Sequence, residues 1–261
     1  MYDEWSAAVD LRAQAAERLI EAERTGKPCR PVRDLIGTAA DGYAVQELLT
    51  RHALAEGRRP VGRKIALTNA EVQRRFGAAE PAHGLLFADR ARLDGGPIAL
   101  TDLMQPRVEA EVAFVLGADL EGGPYTAADV IRAVDFVLPA IEIADTRVAD
   151  WDLTVSDLIA DNSCSGLFVL GNDPRDPRTL DLGAAAMTMT RDGRQLSTGT
   201  GAQCLGHPLN ALVWLANRTS TPLLAGDVVL TGTLGEPAIP ASGEEFEVRI
   251  DGLSAVRAVF A

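Results

Sequence analysis

Two acidic residues within a short apolar run constrain this chain more than any other feature of its sequence. The run 107–116 (RVEAEVAFVL) follows a proline and precedes a glycine, which is the pattern of a buried β-strand. Because side chains alternate across a strand, Glu109 and Glu111 lie on one face together with small apolar residues. The run therefore predicts a strand that directs two carboxylates into a largely apolar environment.

A third acidic residue lies in a second run of the same kind. The run 137–144 (VLPAIEIA) predicts another strand, on which Glu142 shares its face with leucine and alanine. An ionised carboxylate in such surroundings is costly unless a positive group meets it. A divalent metal ion, which prefers hard oxygen ligands, satisfies several carboxylates at once. The pattern therefore indicates a metal site formed by Glu109, Glu111 and Glu142.

Two other interpretations of the three glutamates stay open on the sequence alone. A Glu-x-Glu pair on a strand is often the solvated face of a half-exposed sheet, and Arg107 or Arg147 could form ion pairs with the carboxylates. A solvated face, however, is expected to carry Lys, Thr or Gln beside the glutamates, whereas these strands carry Ala and Val. The neighbouring residues favour the metal site.

The composition limits the classes of partner. The 261 residues are 47% hydrophobic and 24% charged, as in an ordinary globular protein, and the formal net charge is −12. Without a basic stripe or tail, the chain is not expected to bind nucleic acid or an anionic membrane surface. The three cysteines are widely separated and form no CxxC pair, so neither disulfides nor a zinc site is indicated. The N-terminal segment does not resemble a signal peptide and no apolar run has the length of a membrane span, so we expect a cytoplasmic protein.

The hydrophobic periodicity predicts helices first and a β-rich body afterwards. Residues 3–25 and about 41–56 have helical spacing, with buried stripes of Trp5, Val9, Ala15, Leu19 and Ile20 in the first segment and Val45, Leu48, Leu49 and Leu54 in the second. Short strands and turns follow. Since no repeat, low-complexity stretch or linker interrupts the chain, we expect a single α+β domain over 1–261, with a helical region (1–60) and a β-rich catalytic body (61–261).

Local signals predict the remaining elements. Thr68 and Glu71 form the capping-box pattern of a short helix that Gly77 ends, and Asp192-Gly193 predicts a hairpin turn. The other predictions are helices at 127–135 and 208–217, and strands at 62–67, 166–171, 185–190, 228–231, 246–250 and 255–260.

Several polar residues are further candidates for the site, each with a structural alternative. Lys64 is either a solvated edge residue of its strand or a desolvated amine whose lowered pKa lets it move protons near neutrality. Asp161 and Asn162 could bind a ligand, but a helix end followed by a turn explains them as well and is the favoured interpretation of these residues alone. Thr233, in a glycine-rich loop, could receive a carboxylate or form a plain turn. Of the histidines, His52 is expected on a helix surface and His207 as a helix cap, which leaves His83 as the candidate near the Lys64 segment.

Seven stretches, in order and spread over nearly the whole chain, resemble the 2-keto-4-pentenoate hydratases, which belong to the fumarylacetoacetate hydrolase superfamily together with the 4-oxalocrotonate decarboxylases. The stretches are GRKIALT (62–68), FGAAEPAHGLLFAD (76–89), QPRVEAEVAFVL (105–116), VLPAIEIADTRVADW (137–151), IADNSCSG (159–166), CLGHPLNALVWLAN (204–217) and LLAGDVVLTGTLG (223–235). The resemblance implies a mixed β-sheet roll of that superfamily's type with helices packed around it, assembly into homo-oligomers, and a Mg²⁺ or Mn²⁺ ion. It also implies metal ligation by Glu109, Glu111 and Glu142, and a catalytic role for Lys64.

One position departs from the pattern of the family. The resemblance leads us to expect an acidic residue within the Glu-Pro-x-x-Gly segment, where this chain has Ala82 followed by His83. If that carboxylate positions water or relays a proton, then Glu80 or His83 takes over here, or no residue does. We therefore take His83 as a second catalytic candidate, and Asp161, Asn162 and Thr233 as candidates for binding the substrate.

The resemblance also supplies a substrate, a 2-hydroxy-2,4-dienoate from aromatic or steroid ring breakdown. Its carboxylate and C2 oxygens would meet the metal, which acts as a Lewis acid. Lys64 would shuttle a proton during ketonisation, and water would add at C4 to give a 4-hydroxy-2-oxo acid. The same site would also serve decarboxylation of an oxalocrotonate-like diacid or cleavage of an acylpyruvate, so these alternatives stay open. A non-catalytic binding protein is a third hypothesis, which only Ala82 supports.

Overall fold

The computed structural model describes the backbone of residues 2–261 and the side chains of residues 11–261. Within this part of the chain there are six α-helices, and short 3₁₀ turns connect several of the elements. The helices are α1 (Tyr2–Thr25), α2 (Ala39–Ala55), α3 (Ala70–Phe76), α4 (Ala127–Ala133), α5 (Val155–Ala160) and α6 (Pro208–Arg218).

The strands form two mixed sheets. A seven-stranded sheet has the order β2-β1-β10-β5-β6-β7-β3, and a five-stranded sheet has the order β4-β12-β11-β8-β9. The strands are β1 (Pro60–Ala66), β2 (Ala82–Phe87), β3 (Ala91–Arg92), β4 (Pro97–Ile98), β5 (Arg107–Leu116), β6 (Val134–Ala144), β7 (Leu167–Leu170), β8 (Ala186–Arg191), β9 (Arg194–Thr200), β10 (Val228–Leu230), β11 (Glu245–Ile250) and β12 (Ala255–Phe260).

The main core lies between one face of the larger sheet, the smaller sheet and helices α4 and α6. From β5 it receives every second residue, beginning with Val108 and including Phe114. The smaller sheet contributes Phe246 and Phe260, whose rings meet edge to face with centroids 5.7 Å apart. Because this face of β5 is filled by apolar packing, the glutamates of the same strand project from the opposite face.

The two N-terminal helices are confirmed, with one error in their buried face. In α1, Ala15 and Leu19 are buried, whereas the side chains of Trp5 and Val9 lie outside the described residues. In α2, Val45 is buried as expected, but Leu54 is 47% exposed and the neighbouring Ala53 is buried instead. Val45 and Ala53 are eight residues apart, which is close to two helical turns. The buried face of α2 therefore includes Ala53, and Leu54 faces solvent.

The short helix after β1 begins one residue later than the capping-box pattern predicts. Asn69, rather than Thr68, is its N-cap, and the Asn69 side-chain oxygen accepts hydrogen bonds from the amides of Glu71 and Val72. Gly77 ends the helix in the left-handed conformation, with φ of 64°, as expected. Thr68 therefore does not cap this helix, and its side chain is buried.

Most strand predictions are confirmed to within a few residues, and β5 has the predicted bounds. The hairpin between β8 and β9 turns at Asp192 and Gly193, both with positive φ, as that dipeptide predicts. Strand β2 and the short strands β3 and β4 were not predicted, and helix α5 was predicted only through the helix-end interpretation of Asp161 and Asn162. The sheets and helices together confirm the α+β class. None of the described helices combines the length and apolarity that a membrane span requires.

Candidate active site

Three carboxylates meet on the face of the larger sheet that points away from the main core. Strands β5 and β6 are antiparallel neighbours, and their register places Glu109 directly opposite Glu142. Glu111 lies two residues further along the same face of β5. One carboxylate oxygen from each residue lies within 4.8 Å of the other two. Glu111 and Glu142 are fully buried and Glu109 is half-buried.

Lys64 reaches the same cluster from β1. Its ammonium nitrogen lies 3.1 Å from Oε1 of Glu142 and donates a hydrogen bond of 3.0 Å to the carbonyl of Ser163. Strand β10 lies between β1 and β5 in the sheet. The pairing of these strands places Lys64 near the glutamates although it is distant from them in sequence. The side chain is buried, which excludes the alternative of a solvated edge residue.

A left-handed turn brings the Ser163 carbonyl to Lys64. Asn162, Ser163 and Cys164 all have φ between 52° and 57°, a conformation that is unfavourable for residues other than glycine. The turn approaches β2 at Gly84, where a Cβ atom would stand 2.2 Å from the carbonyl oxygen of Asn162. The register pairs Gly84 with Lys64, so the missing side chain leaves room for the turn over the lysine.

The electrostatics of the site are those of crowded buried carboxylates. Burial and the charge of Glu142 raise the pKa of Glu109 to about 7. Burial, with the charges of Glu142 and Glu109, raises the pKa of Glu111 well above its ordinary value. These carboxyls hold protons more tightly than carboxyls in water, as expected where negative charge exceeds the single charge of Lys64.

The pKa of Lys64 differs from the sequence-based expectation. Burial acts to lower it, but the attraction of the three glutamates is stronger in total and raises the pKa above its ordinary value. The amine is therefore an ammonium ion in the metal-free protein. The expectation of a lowered pKa was wrong because it considered desolvation without the surrounding carboxylates.

The donor set fits a divalent cation. Both carboxylate oxygens of Glu142 and Oε1 of Glu111 are buried without a hydrogen-bond partner, although Oε1 of Glu142 is close to Lys64. Oε2 of Glu111 accepts a hydrogen bond of 2.7 Å from the Gly232 amide, which fixes that carboxylate. Carboxylate oxygens that converge from three residues, with unpartnered ones on two of them, are the kind of ligand that Mg²⁺ and Mn²⁺ prefer. Glu109, Glu111 and Glu142 are the residues that would hold the ion.

The loop after β10 supports Glu111 in a way that sequence reasoning missed. Gly232 has φ of 99°, and a Cβ atom there would lie 2.2 Å from Oγ1 of Thr68. The thiol of Cys204 donates to the Gly232 carbonyl at 2.9 Å, and burial raises the pKa of this thiol to about 12. The signal available in the sequence was the Thr-Gly-Thr loop itself. Thr233 is half-buried beside Gly232, and its hydroxyl donates to the carbonyl of Gly235 at 2.8 Å.

The structure does not bring His83 to the glutamates. His83 pairs with Ile65 in the register of β1 and β2, so its side chain lies on the sheet face opposite to Lys64. Its ring centroid is 4.8 Å from that of Tyr43 and 6.2 Å from that of Trp214. Burial, with nearby Arg63, lowers the pKa of His83 to about 4. The expectation of a catalytic His83 is corrected on geometry, because this neutral imidazole faces the wrong side.

Ala82 lies in the Glu-Pro-x-x-Gly segment, where the family resemblance leads us to expect an acidic residue. It pairs with Ala66 and therefore shares the Lys64 face. Ala82 is 1% exposed and packs in an apolar cluster with Leu67, Leu158, Ile159 and Cys164. Glu80 does not replace the missing carboxylate, since it forms an exposed ion pair with Arg218. The Lys64 face thus has an apolar residue at this position.

The side chains of Asp161 and Asn162 hold neighbouring backbone segments together. Asp161 is fully buried and accepts hydrogen bonds from the Thr146 hydroxyl, at 2.7 Å, and from the amide and side chain of Arg147. Asn162 binds the amide and the carbonyl of Leu85 with its side chain. The helix-end alternative is correct, because α5 ends at Ala160. These side chains fix the left-handed turn that contacts Lys64.

Three carboxylates and a lysine that meet on one face of a mixed sheet form the candidate active site of this chain. The chain belongs to the fumarylacetoacetate hydrolase family and, within it, to the 2-keto-4-pentenoate hydratases. Residues 63–261 match the family model described as fumarylacetoacetate hydrolase C-terminal.

Curated relatives match over almost their full length. The TodF product hydratase of Pseudomonas putida is 52% identical over 254 residues, which cover 95% of this chain and 94% of the relative. The 2-keto-4-pentenoate hydratase of Paraburkholderia xenovorans is 46% identical with the same coverage. Among solved structures, 4-oxalocrotonate decarboxylase from Pseudomonas putida, complexed with magnesium and adipate, superposes with a TM-score of 0.91 at 31% identity and covers 97% of each chain.

Proposed function

We propose that this enzyme adds water to a 2-hydroxy-2,4-dienoate and releases a 4-hydroxy-2-oxo acid during aromatic or steroid ring breakdown. The observation that carries the proposal is the buried group of three carboxylates with Lys64 in contact with one of them. The names of the relatives at 46% and 52% identity support hydration as the reaction.

A divalent cation held by Glu109, Glu111 and Glu142 would supply Lewis-acid polarisation of the substrate's C2 oxygen and would neutralise developing negative charge. Lys64 is the residue that holds the mobile proton, because the glutamates keep it as an ammonium ion. We assign to it the transfer of a proton between the C2 hydroxyl oxygen and C5 during ketonisation. The Ser163 carbonyl orients the ammonium group for this role.

The product of ketonisation is an unsaturated 2-oxo acid that is electron-poor at C4. Water adds its oxygen to C4 and its proton to C3, so one molecule of water is consumed and nothing is released. The apolar cluster around Ala82, together with half-buried Val72 and Phe76, provides a surface for the hydrocarbon end of the substrate. We retain Thr233, beside the Gly232 amide that contacts Glu111, as a candidate for substrate binding.

Decarboxylation is the second candidate, and the similarity to the decarboxylase structure favours it specifically. Decarboxylation would need a diacid substrate. The second carboxylate of that substrate would lie at the end where the substrate of the hydratase is a hydrocarbon. The apolar cluster around Ala82 argues for the monoacid and therefore for hydration.

We further propose that the enzyme works as a homo-oligomer. The support is the family resemblance together with strongly exposed apolar side chains, among them Leu93 (82%) and Ile239 (70%). Light scattering coupled to size-exclusion chromatography measures the mass directly, and a monomer at micromolar concentration would contradict this part of the proposal.

The reaction is tested by following the ultraviolet absorbance of synthetic dienoates with and without Mg²⁺. Hydration predicts loss of the conjugated absorbance, an equimolar 4-hydroxy-2-oxo acid detected by mass spectrometry, and no carbon dioxide. Release of carbon dioxide from an oxalocrotonate-like diacid would instead establish the decarboxylase. Unchanged absorbance with every dienoate would refute both reactions.

A further inference from the structure

Arg107 is a cation at the edge of the carboxylate cluster. It lies on β5 two residues before Glu109, so alternation directs it to the same face of the sheet. The register pairs Arg107 with Ala144, two positions along from the Glu109–Glu142 pair. Arg107 is half-buried and forms no ion pair with any carboxylate among residues 11–261. The charge of Glu109 attracts Arg107 without forming such a pair, so the guanidinium donors have no carboxylate partner within the described residues.

The indole of Trp151 holds the Arg107 side chain in place. The central guanidinium carbon lies 3.9 Å from the ring centroid, which is a stacked cation–π contact. A stacked guanidinium keeps its N–H donors in its own plane, so they stay available for a ligand at its edge. Stacking thus orients the donors without consuming them.

Trp151 is itself fixed by its surroundings. Its indole N–H donates to the carbonyl of Gln105 at 3.0 Å, and the Gln105 side-chain amide donates to the carbonyls of Thr146 and Val148. Trp151 and the preceding Asp150 both have left-handed backbones, with φ of 55° and 61°. Such conformations persist only where surrounding contacts impose them, and they concentrate at functional sites.

We propose that Arg107, held against Trp151, binds the C1 carboxylate of the substrate, an inference that rests on the proposed function. A guanidinium presents two parallel N–H donors that match the two oxygens of a carboxylate. We assign Arg107 to the C1 carboxylate because Arg107 lies beside Glu109 on the same face of β5. Trp151 also packs against the apolar cluster around Ala82, where the hydrocarbon end of the substrate fits better than a second carboxylate.

The test compares an acid with its uncharged ester in wild-type protein and variants. The probes are 2-oxopentanoate and methyl 2-oxopentanoate, measured by isothermal titration calorimetry with Mg²⁺ present and as inhibitors of dienoate consumption. The variants are Arg107→Gln, which removes the charge, and Arg107→Lys, which keeps the charge but loses the fork. Arg178→Gln, an exposed arginine paired with neighbouring Asp176, is the matched control.

In Arg107→Gln, the Kd for 2-oxopentanoate and the KM for the dienoate are expected to rise ~10- to 100-fold, with a smaller change in kcat. The Kd for the ester is expected to change less than threefold in this variant. Arg107→Lys should recover most of the affinity for the acid, and Arg178→Gln should match the wild-type protein. Magnesium affinity should not weaken, because the residue removed is a cation.

Equal losses for acid and ester, or no loss for either, would overturn the assignment. If Arg107→Gln does not fold, the comparison of Arg107→Lys with the wild-type protein still decides, since loss of the fork predicts a smaller affinity loss that is also specific for the acid. The calorimetry needs no turnover. A wild-type protein that binds the acid through Arg107 but hydrates no dienoate would contradict the proposed function and leave this inference standing.

Discussion

The two faces of strand β5 have the same backbone and opposite chemistry. One face, which includes Val108, Val112 and Phe114, is completely buried against the smaller sheet and helices. The other face carries Glu109 and Glu111, whose pKa values are raised by burial and by neighbouring carboxylates. The first face stabilises the fold by removing apolar surface from water. The second works against it whenever its carboxylates are ionised without a cation.

This difference separates the residues that build the enzyme from those that work in it. A substitution on the apolar face should change the free energy of unfolding and leave metal binding alone once the protein is folded. A substitution on the acidic face should change metal binding and turnover while sparing or increasing stability. Substitutions that affect one face at a time test this difference.

Glu111→Gln tests the acidic face most directly. The substitution removes one ligand charge and keeps the shape, so turnover should fall to the level seen without added metal, and magnesium affinity should fall by more than about 100-fold. Because repulsion among the carboxylates is relieved, the metal-free variant should unfold at the same temperature as the wild-type protein or at a higher one. Calorimetry with Mg²⁺, the dienoate assay and thermal melts in chelator measure these quantities.

The matched control for that variant is Glu245→Gln, which makes the same change at an exposed position on β11. It should leave magnesium affinity and turnover at wild-type values. An active Glu111→Gln enzyme with normal magnesium binding would remove Glu111 from the metal site, whatever its stability.

Lys64→Ala isolates the positive member of the acidic face. Loss of the proton donor should reduce kcat by about 10²- to 10⁴-fold. Magnesium binding should not weaken, because the variant removes a cation that contacts Glu142. Single-turnover kinetics and calorimetry provide the two measurements. A kcat within threefold of wild type would show that Lys64 serves only to balance charge.

Much of this site could be predicted from the sequence because it depends on one local rule. The bounds of β5 and the shared face of Glu109 and Glu111 follow from alternation within a single apolar run. The mistake over His83 had a different origin. Strand β2 was not recognised, and a shift of one residue in a strand exchanges its faces, so the sequence could not tell whether Ala82 or His83 points towards Lys64.

The contacts that complete the site come from distant segments and have weaker local signals. The left-handed turn at 162–164 and the Gly232 amide are set by tertiary packing, through Gly84 and Thr68 respectively. The stack of Arg107 on Trp151 joins residues that lie 44 positions apart (151 minus 107). Alternation along β5 predicts that Arg107 shares a face with Glu109. The contact with the Trp151 ring, which orients Arg107, could be seen only in the fold.

Phe114→Ala examines the apolar face. Removal of a fully buried aromatic ring should lower the free energy of unfolding by about 3–5 kcal/mol, from lost burial and the cavity that remains. Urea denaturation in chelator gives this value. Val115→Ala, a half-buried position on the opposite face, should cost clearly less. If the folded fraction of Phe114→Ala binds Mg²⁺ much more weakly than wild type, the two faces are not independent.

The pH dependence of the metal-free protein gives the smallest expected effect and isolates the cost of the acidic face. Glu109 has a pKa of about 7 in the folded protein against an ordinary value of 4.5, so between these values the folded state binds more protons than the unfolded state. Stability should therefore fall as pH rises from about 4.5 to about 7 and stay low above that. Glu109→Gln should flatten this part of the curve, and the difference between the two proteins cancels the titrating groups that lie away from the site. Saturating Mg²⁺ should remove the loss at pH 7.5 and have little effect at pH 5, where protons compete for the same oxygens. A Tm in chelator that rises from pH 5 to 7.5 by the same amount in both proteins would show that Glu109 ionises without penalty, and the contrast between the two faces of β5 would then be one of shape alone.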